Sequence, residues 1–128
     1  MHNRPKRYRV CILECRDTSL FTALTSAAAE RCVAAHNASD DVDSYTKGRR
    51  PVRLIHSVDA GTDRCSAIGL TLAMRRLSRR NKLKLIAGDA TILARVFAEG
   101  DKGGNALREN FRRANKNLEP TRNTAPLK

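Results

Sequence analysis

Arg64-Cys65-Ser66-Ala67-Ile68-Gly69-Leu70-Thr71-Leu72-Ala73-Met74-Arg75-Arg76-Leu77-Ser78-Arg79-Arg80-Asn81-Lys82-Leu83-Lys84-Leu85-Ile86-Ala87-Gly88 is the stretch on which the fold turns. Its first half is helical by spacing. Leu70, Met74 and Leu77 share one face while Ile68 and Leu72 lie opposite, the pattern of an amphipathic helix. Ala60-Gly61-Thr62 breaks the chain before it, and Asp63 supplies an N-cap acceptor. Arg75, Arg76 and Arg79 continue the side of Ile68 and Leu72, so the helix enters buried and emerges basic. From Lys82 to Ala87 the chain alternates, Leu83, Leu85 and Ala87 against Lys82 and Lys84, which predicts a strand.

Pro51 to Val58, upstream, reads as a strand with Val52, Leu54 and His56 on one face. Lys47-Gly48-Arg49-Arg50 before it is a turn. Ser39 to Ser44 is acidic and polar, a loop or a short, poor strand. Tyr8 to Glu14 is a strand with Val10 and Ile12 to one side and Cys11, Leu13 and Cys15 to the other. Apolar groups on both faces place it centrally in a sheet. Asp17-Thr18-Ser19 offers N-cap chemistry for a helix through Leu20, Leu24, Ala28, Cys32 and Ala35, with Phe21 beside them, ending near Asn37.

Downstream, Gly88-Asp89-Ala90-Thr91 is a turn and a helix start, and Ile92 to Glu99 reads as a short helix, with a strand over 91–97 as the alternative. Asp101 to Gly104 is a break. Asn105 then caps a last helix striped by Leu107, Phe111, Ala114 and Leu118. The expected fold class is α+β: an αβ sandwich with a small antiparallel or mixed sheet of three to four strands packed with helices, in a ferredoxin/RRM-like element order. Residues 1–7 form a basic arm, 8–118 a single RNA-binding αβ domain, and 119–128 a disordered tail.

The 128 residues suit one domain. Five aromatic residues and no Trp leave the core to Leu, Ile, Val and Ala, and leave few platforms for base stacking. The formal charge is +12, an excess that points to nucleic acid, with an anionic membrane surface as the weaker alternative. No run is apolar and long enough for a membrane span or a secretory signal. Cys11, Cys15, Cys32 and Cys65 contain no CxxC pair and read as reduced thiols.

No acidic residue lies between Asp63 and Asp89, and six of the ten residues from Arg75 to Lys84 are Lys or Arg. Arg75, Arg76, Arg79, Arg80, Lys82 and Lys84 are therefore the first candidates for RNA phosphate contacts, which neutralise charge and release counterions. The arm of Arg4, Lys6, Arg7 and Arg9 is the second, and the turn of Lys47, Arg49 and Arg50 the third. Arg108, Arg112, Arg113 and Lys116 make a fourth cluster that reads as a solvated helix face. Reversing Arg75, Arg76 and Arg79 to Glu is expected to weaken RNA binding without unfolding the chain.

Cys32, His36, His56 and Cys65 could be drawn together as a zinc set, but only the first two have a ligand-like spacing, and no metal or other cofactor is expected. Asp40, Asp41 and Asp43 suit a hard cation yet lack clustered His or Glu. With no GxSxG, P-loop or HExxH, no catalytic residue is assigned and the chain is not expected to be an enzyme on its own.

Three motifs carry a family resemblance. Lys6 to Glu14 is similar to an opening basic-Tyr-strand motif. Pro51 to His56 followed by Cys65 to Leu72 resembles a third strand and its apolar helix, and Leu83 to Ile92 a last strand, turn and helix. Together, over roughly residues 6 to 98, they resemble the small αβ-sandwich protein subunits of ribonuclease P and ribonuclease MRP. The resemblance implies a non-catalytic subunit that stabilises a ribonuclease P/MRP-type RNA and pairs with at least one other protein, with no membrane partner. It further implies 5′ maturation of precursor tRNA, rRNA processing, and a nuclear or nucleolar site in a eukaryote or a cytoplasmic one otherwise. Two alternatives remain: an Alba-like nucleic-acid-binding protein, and a basic scaffold or viral accessory protein that binds protein or anionic membrane.

Overall fold

The computed structural model describes residues 6–26, 28–38 and 47–124, with backbone only for Ala29 and for 116–124. Its strands are β1 (Arg9–Glu14), β2 (Leu20–Thr25) and β3 (Arg53–Asp59). Its helices are α1 (Ala29–Ala38), α2 (Arg64–Arg75), α3 (Arg79–Ile86) and α4 (Ala90–Thr124). The architecture is α+β, with an antiparallel sheet in the order β2-β1-β3. β1 is central, as its two apolar faces require. The order of elements is not ferredoxin-like, because the chain opens with a hairpin and closes with three successive helices.

Two cores flank the sheet. Val10, Ile12 and Val58 pack against Leu70, Met74 and Leu77 of the α2 region, Leu85 of α3, and Ile92 and Val96 of α4. On the opposite face Cys11, Leu13, Cys15 and Val52 pack with Phe21, Leu54 and Val33 of α1. Burying each such large side chain contributes roughly 1.5–3 kcal/mol. Between Leu54 and His56 the register slips: Leu13 pairs with Leu54 but Ile12 with His56. That bulge at Ile55 sends His56 to the face opposite Val52 and Leu54, not to theirs as alternation alone suggests.

Leu20 to Thr25 is a strand and not the start of a helix. Leu20, Thr22 and Leu24 alternate with Phe21, Ala23 and Thr25, and strict period-two pairing with β1 buries both sets. Asp17 makes a turn instead of a helix cap: its Oδ1 accepts the Ser19 amide at 3.0 Å and the Ser19 hydroxyl at 2.5 Å. Thr18 sits at φ +67°. The Thr18 amide donates to the Cys15 carbonyl and the Cys15 amide to that of Ser19, closing the hairpin. The helix that follows is only α1, pinned at its end. Asn37 donates its Nδ2 to the Val52 carbonyl at 3.0 Å and accepts the Val52 amide on Oδ1 at 2.7 Å.

Asp63 caps α2 as expected, its side chain accepting the Cys65 amide. Lys82 to Ile86 is helical, where alternation predicted a strand. The Ser78 hydroxyl accepts the Asn81 amide as an N-cap. Gly88, at φ +96°, closes the far end, with Gly88 N–H bonded to the Leu85 carbonyl and Asp89 N–H to that of Lys84. This is the pair of bonds of a Schellman terminus. Leu85 is buried and Leu83 is 46% exposed, so the two leucines do not share a side.

α4 is one helix where a break and a new cap at Asn105 were expected. Asp89 starts it by accepting the Thr91 and Ile92 amides. Its glycines are contact points. A Cβ on Gly100 would lie 2.9 Å from the Leu70 Cα, and one on Gly104 2.9 Å from the Ser66 Cα. α2 and α4 thus meet backbone to backbone, with Gly69 between them. The helix continues through Glu119 to Thr124, past the point where the sequence places a tail. Residues 39–44, the poor strand with Asp40, Asp41 and Asp43, lie outside the described residues.

Candidate nucleic-acid interface

β2 is an outer strand, and arginines from the α2–α3 corner lie along its free edge. Arg75 at the end of α2 donates Nε to the Thr22 carbonyl at 3.0 Å. Its guanidinium also stands 5.3 Å from the centroid of the Phe21 ring, within cation–π range. Phe21 meets His36 of α1 edge-on at 5.7 Å, and the His36 carbonyl accepts Arg50 Nε at 2.6 Å. Arg79 donates Nη1 to the Thr18 carbonyl at 2.9 Å. Lys82 is half-buried nearby; burial, and after it the Arg75 cation, holds its ammonium below the ordinary lysine value. The corner therefore wraps positive charge around the sheet edge.

Arg76, Arg80 and Lys84 are exposed. Among the described residues no carboxylate pairs with any of Arg75, Arg76, Arg79, Arg80, Lys82 or Lys84. Arg79 and Arg80 open α3, whose first turn holds no acidic residue. That is the positive end of the helix dipole, where cations are locally unfavourable and anions favoured. Simple dipole complementarity explains Arg75 at the end of α2 but not this pair. On α3 the residues open to solvent are Arg79, Arg80, Leu83 and Lys84, and Leu85 faces the core.

Of the other candidate cations, Arg50 adjoins this edge through His36 and Phe21, and most of the rest are held by other partners. Arg7 pairs with Asp59 at 2.6 Å, and Arg9 donates to the Ser57 hydroxyl at 3.0 Å. Lys6 is exposed, and Arg4 lies outside the described residues. Arg49 bridges to Asp17 at 3.1 Å, Arg50 holds the end of α1, and Lys47 is exposed in the same turn. In the fourth cluster Arg108 binds Asp63 and the Asn105 side chain, and Arg112 pairs with Glu109 at 2.9 Å. These pairings fix carboxylates low. Ser19 and then Arg49 depress Asp17, and the Gly61 amide and Arg7 depress Asp59. Desolvation opposes the shift at Asp63, but Ser66, the Cys65 amide and Arg108 together hold it down.

Among the described residues no three His, Cys, Asp or Glu side chains are placed to hold a metal. Of the sequence-derived zinc set, Cys32 and His36 sit on α1 and Cys65 on α2, on opposite sides of the sheet. Cys32 hydrogen-bonds Cys11 instead, which lowers the Cys11 pKa and, with burial, raises that of Cys32. Sequence reasoning missed Phe21 and His36 as parts of the cationic edge. Their meeting depends on the hairpin, and the only local hint was Phe21 in an alternating run.

No protein-family model matches the chain. A UPF0213 protein of Staphylococcus haemolyticus is 35% identical over 80 residues, 62% of this chain and 94% of that protein. The chain belongs to the UPF0213 family. Another UPF0213 protein, from the archaeon Natronomonas pharaonis, is 35% identical over 80 residues and 91% of its length. The solution NMR structure of the UPF0213 protein BH0048 from Bacillus halodurans is 30% identical, covers 65% of this chain and 85% of its own, and superposes with a TM-score of 0.42.

Membership in UPF0213 overturns the ribonuclease P/MRP resemblance, and with it the partnership with that RNA and its protein subunits and the roles in tRNA and rRNA processing. The Alba-like alternative falls as well. Family members come from bacteria and archaea, so the nuclear and nucleolar expectation is withdrawn. The three motifs misled because two of them rest on two strands and a helix of a kind common to αβ sandwiches, and the third on a strand at residues 83–87 that is a helix. Among the described residues no helix is long and apolar enough to cross a membrane.

Proposed function

We propose that this UPF0213 protein binds the phosphate backbone of duplex DNA through the α2–α3 corner and performs no chemistry on it. The observation that carries the proposal is the run of six cations without a carboxylate partner among the described residues, two of them at the positive end of α3. Such charge is relieved by a polyanion. An exposed cationic helix fits the major groove of B-form DNA and not the deep, narrow groove of A-form RNA. The paucity of aromatic residues argues against single-strand binding by stacking.

Arg75 and Arg79 hold backbone carbonyls of the β1–β2 hairpin, so reversing them confounds folding with binding. Arg76→Glu with Arg80→Glu is the cleaner test, because among the described residues neither side chain has a hydrogen bond or ion pair to lose. Fluorescence anisotropy with duplex DNA should show weaker binding and a log–log salt slope shallower by about 2. Unchanged affinity and slope in the double variant would remove the α2–α3 corner as the contact. Equal or tighter binding of duplex RNA would refute the assignment to DNA.

A further inference from the structure

Residues 109–115 of α4 do no packing work in the domain. α4 runs antiparallel to α2: Gly100 lies on Leu70, Gly104 on Ser66, and Arg108 reaches Asp63 and Ser66 near the start of α2. Residues 109–115 are then exposed on every side. At 1.5 Å per residue the helix projects about 24 Å beyond Arg108. Arg112 and Arg113 stand on the first turn of that projection, with Lys116 and Arg122 following in sequence. Arg113 has no carboxylate partner among the described residues, and Arg112 has only the exposed pair with Glu109 at 2.9 Å.

The spacing is informative. Ile92 shares its core with Leu85 of α3, so it marks the level of the α2–α3 corner on α4. From Ile92 to Arg112 is about 30 Å along one helix, close to the roughly 34 Å of one duplex turn. The backbone contacts at Gly69, Gly100 and Gly104 fix the bearing of that helix.

We infer that the distal segment of α4 is a second DNA phosphate contact, held about one helical turn from the α2–α3 corner; the inference rests on the duplex-DNA proposal above. A duplex of about 10 base pairs spans one contact region and one of about 20 base pairs spans both. Anisotropy with the full chain and these two duplexes tests the assignment. The wild type should bind the longer duplex at least about tenfold more tightly, since each neutralised phosphate carries a strong salt-dependent gain. Arg112→Gln with Arg113→Gln, in an exposed helical stretch, should keep the short-duplex affinity and lose most of that gain. The variant shares any advantage from the greater number of overlapping sites, so the difference isolates the second contact. If the variant matches the wild type on the longer duplex, or the wild type shows no length dependence, the second contact does not exist. If Arg76→Gln with Arg80→Gln leaves both duplexes bound as tightly as before, the corner proposal fails, and the length scale fails with it.

Discussion

Gly69→Ala tests the crossing on which the placement of α4 depends. A Cβ at Gly69 would lie 2.2 Å from the Gly100 carbonyl oxygen and 2.7 Å from the Gly104 nitrogen, where ordinary contact begins near 3.4 Å. Both obstacles are backbone, so no side chain can swing aside, and α4 must retreat by about 1 Å. Overpacking of this kind costs about 1–3 kcal/mol, occasionally more. Alanine recovers roughly 0.5–1 kcal/mol through its better helix propensity, which leaves a net loss of about 1 kcal/mol. Gly103→Ala is the matched control: its Cβ would meet only the Gly69 Cα at 3.5 Å. With no clash to overcome, it should stabilise by about 0.5–1 kcal/mol. Urea denaturation followed by far-ultraviolet circular dichroism should move the two midpoints in opposite directions at constant m-value. Equal stability of Gly69→Ala and wild type, or destabilisation by both substitutions, would refute the backbone-to-backbone crossing.

Three further outcomes are expected. Thr18→Gly should raise the melting temperature, because a β-branched residue at φ +67° carries about 1 kcal/mol of strain that glycine lacks; a lower melting temperature would exclude that hairpin geometry. Thr22→Val should stabilise by about 1 kcal/mol in urea, since the Thr22 hydroxyl is buried without a partner; a loss would mean that the hydroxyl is bonded. Asp17, Asp59 and Asp63 are all held below the ordinary aspartate value. Depressed carboxylates contribute stability above their unfolded pKa and lose it as pH falls through the folded one. The urea midpoint should therefore drop as pH falls below about 4, and Asp59→Asn should flatten that limb; an identical acid limb in the variant would dismiss the Arg7 and Gly61 contacts as its cause.

β1 was legible in the sequence as a short continuous apolar run, and α2 by its helical spacing and an unambiguous cap at Asp63. The cationic run at 75–84 was equally plain, being a matter of residue type. Lys82-Leu83-Lys84-Leu85 misled by alternation: a strand would put Leu83 and Leu85 on one face, whereas the helix that forms sets them about 160° apart; Ser78 and Gly88, the terminators, settle it. Leu20 and Leu24 fit both periods, and only pairing with β1 selects the strand. Gly103-Gly104 read as a break because local propensity takes no account of a partner helix, and close approach at Gly69 overrides it. The hydrogen bonds of Arg75 and Arg79 were invisible for the same reason: their acceptors lie more than fifty residues away in the chain.

Arg75 uses Nε on the Thr22 carbonyl, and Arg79 uses Nη1 on that of Thr18. A guanidinium has five N–H donors in a planar fork, so each retains several pointing elsewhere. Free arginine side chains carry about 2 kcal/mol of rotamer entropy, which a ligand must ordinarily overcome when it immobilises them. Here the hairpin has already restricted both. An anion arriving at this edge meets two forks held in place by the strand beneath them, and binding there should lose less entropy than at the mobile tips of Arg76 and Arg80. The Arg75 contact also occupies the Thr22 carbonyl, one of those through which another strand would otherwise add to β2, so the preorganisation of that charge and the protection of the strand edge are one arrangement.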